Sequence, residues 1–132
     1  MLGDQIGEET GKITGFRVLD AAGPKVEVSI HTQGKLLGSD YQGRASYTSQ
    51  MQPGGSLFGD GQGIYMTQDG GVAVWKGQGT GKFNPGGGVS YRGSIHFVSA
   101  TGSLAKLAGT ASVFEHNTDA NDNVTSKFWE WK

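Results

Sequence analysis

The chain has 132 residues, of which 24 are Gly, 3 are Pro and none is Cys, and its 11 basic and 12 acidic side chains leave a net charge of −1. That length fits one domain, residues 1–132, and six Phe, four Tyr and three Trp are enough large side chains to fill a core, which disordered chains cannot do. The charge is too small to hold a nucleic-acid backbone or an anionic membrane, and without Cys there is no disulfide, thiolate nucleophile or Cys-ligated zinc.

Hydrophobicity alternates with a period of two along most of the chain, which is the signature of half-buried strands. The pattern predicts a first strand over 11–19, closed by Ala22-Gly23-Pro24. A second follows over 25–37, with Val26, Val28 and Ile30 on one face and Lys25, Glu27, Ser29 and His31 on the other. Gly38-Ser39-Asp40 leads to a third over 41–52, in which Tyr41, Ala45, Tyr47 and Met51 share a face. Pro53-Gly54-Gly55 ends it, and a fourth strand over 57–67 meets the hairpin signal Asp69-Gly70-Gly71. Strands over 72–83, 89–98, 109–117 and 124–131 complete the set. Ser103 to Leu107 is too short for a free-standing helix and reads as one turn or a bent connection.

Short turns between consecutive strands make neighbours antiparallel. A sandwich or an up-and-down barrel would satisfy the count, and the glycines favour the barrel. Gly59, Gly61 and Gly63, then Gly77, Gly79 and Gly81, fall on alternate residues of two adjacent strands. Glycine inside a strand is costly, and six such positions imply sharp coiling or room for a large neighbouring side chain over bare backbone. The fold class expected is therefore all-β: an eight-stranded antiparallel up-and-down β-barrel, whose interior has space for side chains or one small ligand.

Several motifs are decoys. The two Gly-x-Gly-x-Gly runs lack the strand–loop–helix setting of a phosphate cradle. Asp119, Asn121, Asn123 and Glu130 occupy four places of a calcium loop, but the sixth place, which needs Gly, is Val124. His31, His96 and His116 have no partners at metal-ligand spacing and read as surface or hydrogen-bonded histidines. No metal and no cofactor is expected. The N-terminal residues 1–9 show no secretion signal, and no apolar run reaches the roughly 18–20 residues of a membrane helix. The expectation is a cytoplasmic protein without nucleic-acid or membrane partners.

Two carboxylates are candidate acid–base groups, since a carboxyl turned into an apolar interior has a raised pKa. Glu115 shares a face with Val113, and Glu130 shares one with Phe128. A turn centred near residue 120 pairs Glu115 with Thr125 and Glu130 with Thr110. That sets them roughly 17 Å apart at the strand rise, too far to act as a pair. Tyr47, Tyr65, Trp75 and Tyr91 are the candidate ligand-binding walls of a slot for a flat apolar or aromatic molecule. Trp129 and Trp131 share a face and would form an exterior patch, which predicts a homo-oligomer.

The segment Trp75-Lys76-Gly77-Gln78-Gly79-Thr80-Gly81-Lys82-Phe83, followed by Tyr91 to Phe97 and by Leu104 to Ala111, resembles the allene oxide cyclase-like barrel group. That group includes plant allene oxide cyclases, dirigent proteins and small bacterial proteins of unknown function. The resemblance covers about residues 57–115 and implies an eight-stranded antiparallel barrel, often oligomeric, with a cavity. The plant cyclases use a buried Glu and a bound water, and no motif around Glu27, Glu115 or Glu130 matches theirs. The reading that follows is a small barrel binding an apolar or aromatic small molecule. The alternatives are a cyclase or isomerase using a buried Glu, and a structural or assembly protein without a ligand.

Overall fold

A computed structural model describes residues 2–132; Met1 lies outside the described residues. Eight strands appear in chain order: β1 (Leu2–Asp20), β2 (Lys25–Leu36), β3 (Ser39–Met51), β4 (Leu57–Thr67), β5 (Val72–Phe83), β6 (Val89–Ala100), β7 (Ala111–Thr118) and β8 (Asn123–Trp131). Each pairs antiparallel with the next, and β1 pairs antiparallel with β8, which closes the barrel. The up-and-down barrel expected from the alternation is the observed fold.

The first strand is much longer than the expected 11–19. Residues 2–12 pair with β8 from Trp131 to Asn123 and supply the seam. Their alternation is hard to see because the inward positions Gly7, Glu9 and Gly11 carry no hydrophobic residue, and an irregularity between Gln5 and Gly7 puts the buried Ile6 out of step with them. The 118–123 turn also differs from expectation. The Asp119 carboxylate accepts the backbone N–H groups of Asn121 and Asn123, and Asp122 takes a positive φ of 62°. This centres the turn on residue 121, so Glu115 pairs with Lys127 and Glu130 with Ser112.

Two packing devices fill the interior. At one end, Ser103 to Leu107 lies within a short 3-10 helix, Gly102–Leu107, which drives Leu104 and Leu107 (0% and 2% exposed) against Leu36, Ala73 and Phe97. Truncating such a side chain removes both its transfer energy and its packing partners. Leu104→Ala should therefore cost about 2–5 kcal/mol, read as a lower urea midpoint at unchanged m-value.

The second device is the glycine wall. Gly59, Gly79 and Gly93 stand in register across β4, β5 and β6. A Cβ on Gly59 or Gly81 would meet the Tyr91 ring at 3.0 or 2.6 Å, and one on Gly63 would meet the Trp75 indole at 2.4 Å. The bare backbone is there so that rings from neighbouring strands can lie on it.

Candidate functional site

One line of register pairs carries most of the interior polar groups. Tyr91, His116, Ser126, Glu9, Gly34, Tyr41 and Thr67 are paired in that order across seven strands, from β6 through β7, β8, β1, β2 and β3 to β4. Because the barrel closes, groups far apart in sequence meet inside it.

Glu9 is the centre of this line. It is 6% exposed, and its Oε1 accepts the Tyr41 O–H at 2.7 Å. The Ser126 and Thr32 hydroxyls lie near enough to it to favour its charged form. Burial outweighs these contacts and raises the carboxyl pKa above its ordinary value, so the proton is held more tightly than in water. The Tyr41 and Tyr65 phenols are pushed up as well, first by burial and then by the Glu9 charge.

His116 continues the network. Its Nδ1 lies 2.8 Å from Ser126 Oγ and its Nε2 lies 3.5 Å from the Tyr47 hydroxyl. Burial lowers its pKa to about 4, so the imidazole is neutral near pH 7. With the proton on Nδ1 donated to Ser126, Ser126 can donate onward to Glu9, and Nε2 accepts from Tyr47. The Tyr91 hydroxyl bonds Ser49 Oγ across the interior, and the Tyr47 and Tyr91 rings meet edge-on with centroids 5.8 Å apart.

These groups border a chamber of about 60 Å³, lined by Glu9, Tyr47, Tyr65, Trp75, Tyr91 and His116 together with Ile95, Phe114, Phe128 and the bare backbone of Gly59, Gly61, Gly77 and Gly79. That volume corresponds to about two water molecules. The Trp75 indole N–H is buried and makes no hydrogen bond of normal geometry, although it lies near enough to the Tyr65 hydroxyl to favour its phenolate.

The structure thus brings Tyr47, Tyr65, Trp75 and Tyr91 together on one chamber wall. It does not bring Glu115 or Glu130 there. Glu115 points outward, its side chain 45% exposed, with an oxygen 3.9 Å from Arg92. It belongs to an exterior row of alternating charge, Arg92, Glu115, Lys127, Glu8, Lys35 and Asp40, each in register with the next. Most of this row borders a wide groove of about 1360 Å³, open to solvent, which also touches Glu9, Tyr41 and Ser126. Glu130 has the inward register but sits half-buried beside Ser112 near the end of β8, off the chamber. The two carboxyls face opposite sides of the wall.

Sequence reasoning missed Glu9 and the interior place of His116. The available signal was parity: Gly7, Glu9, Gly11 and Ile13 alternate, so a strand carried back from Ile13 turns Glu9 inward. His31 bonds Gln42 at 3.0 Å on the outer face, and His96 is exposed. Among the described residues, no three His, Asp or Glu side chains gather to hold a metal, and no helix is long and apolar enough to cross a membrane.

Neither a scan of family models nor a search of curated proteins finds a match for this chain. Among solved structures it is similar to a conserved protein of unknown function from Rhodopseudomonas palustris, with a TM-score of 0.78 at 15% identity over 99% of this chain and 98% of that one. At that identity the likeness is one of fold: a closed eight-stranded antiparallel barrel.

Proposed function

We propose that the lumen binds a compact apolar or aromatic molecule carrying one carbonyl or hydroxyl oxygen. The observation that carries this reading is Glu9. A buried carboxyl that holds its proton more tightly than in water, on the wall of a chamber otherwise made of rings and bare backbone, offers a polar anchor inside an apolar slot. Neutral His116 and the Tyr47 hydroxyl stand on the same wall. A ring-sized guest exceeds 60 Å³, so it enters by displacing the Tyr47 and Tyr91 rings.

Native mass spectrometry and thermal shift against lipids, terpenoids and aromatic metabolites test the reading. A guest at about 100 times its Kd adds roughly 2.7 kcal/mol, a rise of several degrees in Tm. Failure of every class to bind, together with an interior that stays filled by its own side chains, overturns it.

A second reading, isomerisation or cyclisation of such a guest, is favoured by one specific fact: Glu9 borders the chamber and can pass a proton to or from it. The resemblance to the allene oxide cyclase-like group points the same way. Under that reading Glu9→Gln abolishes turnover while Glu115→Gln, altered on the outer wall, does not. Equal activity in both variants rules it out.

A further inference from the structure

β1 runs past the seam it makes. Its last paired residue on β8 is Lys12, and the Ile13 N–H then donates to the Asp122 carbonyl at 2.9 Å. From Thr14 to Asp20, among the described residues, β1 pairs only with β2. Over the same stretch β2 pairs on its other side with β3, from Lys25 opposite Gln50 to Ser29 opposite Ser46, so β1 here is the margin of a sheet with one free backbone edge. Phe16 and Val18 carry the inward register, opposite Val28 and Val26, yet they are 66% and 57% exposed.

An open edge with exposed hydrophobic residues is a template for another strand. We propose that this edge pairs antiparallel with the same edge of a second copy, joining the two barrels through one continuous sheet about a two-fold axis.

The edge is complementary to itself, which argues for a second copy over an unrelated strand. Arg17 and Asp20 lie on the outer side, in register with Glu27 and Lys25, and a bulge between Val18 and Asp20 keeps them on the same side. In the two-fold register that sets Val18 opposite Leu19 of the second copy, each Arg17 faces an Asp20, so symmetry forms the pair twice. The alternative that sets Arg17 against Arg17 opposes like charges. Phe16 and Val18 of the two copies then make one continuous apolar strip. In that register the facing strand residues are Arg17 to Asp20 of each copy, about 13 Å at the strand rise, at the end of β1 away from Trp129 and Trp131.

Sedimentation equilibrium of the full chain should give twice the 13.9 kDa chain mass. Because the chain has no Cys, Val18→Cys supplies one thiol, which under mild oxidant should cross-link at least tenfold faster than Val98→Cys, equally exposed at 57% on β6. Phe16→Lys combined with Val18→Lys should return the mass to that of one chain while the barrel stays folded by near-ultraviolet circular dichroism. Trp129→Ala with Trp131→Ala should leave the dimer mass intact. A single-chain mass above 100 µM, equal cross-linking at both positions, or a mass that responds to the tryptophans alone overturns the proposal. None of these outcomes depends on what the lumen binds.

Discussion

Replacing Glu9 by Gln should make stability fall more steeply in acid than it does in the wild type. The two buried titratable groups of the interior act in opposite directions. Burial raises the folded-state pKa of Glu9 above 4.5. Between pH 4.5 and that raised value the unfolded chain loses this proton while the fold keeps it, and stability declines as pH rises. His116 has its folded-state pKa lowered from 6.5 to about 4. Between those values the unfolded chain is protonated and the fold is not, so stability grows as pH rises. Each contributes a slope of about 1.4 kcal/mol per pH unit between its unfolded and folded values, and from pH 4.5 upward, where those ranges overlap, they oppose one another.

Tyr41 and Tyr65 around Glu9, and Tyr47 and Tyr91 around His116, stay protonated throughout this window because burial raises all four pKa values. In Glu9→Gln only the histidine slope remains. Stability should drop by on the order of 3 kcal/mol from pH 6.5 to pH 4, with a fall in Tm of about 10 °C. In His116→Gln the reverse holds, and stability declines from pH 4.5 upward. Tm measured across pH 4 to 8 reads both, and a Glu9→Gln profile no steeper than that of the wild type refutes the assignment.

The second large effect is at the glycine wall. Gly93→Ala should cost about 3 kcal/mol or more. Its Cβ would stand 2.0 Å from the Gln78 carbonyl oxygen and 2.5 Å from the Gly79 Cα. Both are backbone atoms, so β5 and β6 must move apart along their shared ladder. Gly15→Ala is the control, since its Cβ meets only the Ser29 side chain at 3.5 Å or beyond. Its effect should stay within about 0.5 kcal/mol. Urea unfolding of the pair decides the matter: similar midpoints would mean that the wall is pliable.

These two sites also show where the sequence was legible. Alternation is read most easily where inward residues are large and apolar, as at Val26, Val28 and Ile30, and there the strands fall as expected. The glycine stripes could be read as bare backbone, and the rings lying on them were among the expected chamber residues. Where the inward residues are Gly and Glu, as over residues 7–11, hydrophobicity gives no rhythm. The catalytic candidates were misplaced for a related reason. Glu115 lies next to inward-facing residues in sequence but points to solvent, and Glu9 lies far in sequence from Ser126 and His116. A closed barrel brings such groups together through its seam, which no local window of sequence can reveal.

The seam has a consequence for the order of events when the chain is made. Of the eight barrel strands, the first to leave the ribosome pairs with the last, so the β1–β8 contacts span nearly the whole barrel sequence. Long-range pairing of this kind slows acquisition of the native state. Until β8 emerges, Glu9 has no Ser126 to meet and one side of β1 has no strand beside it. A nascent chain released before residue 126 would carry an open sheet with an acidic residue at its margin, vulnerable to mispairing until the final segment arrives.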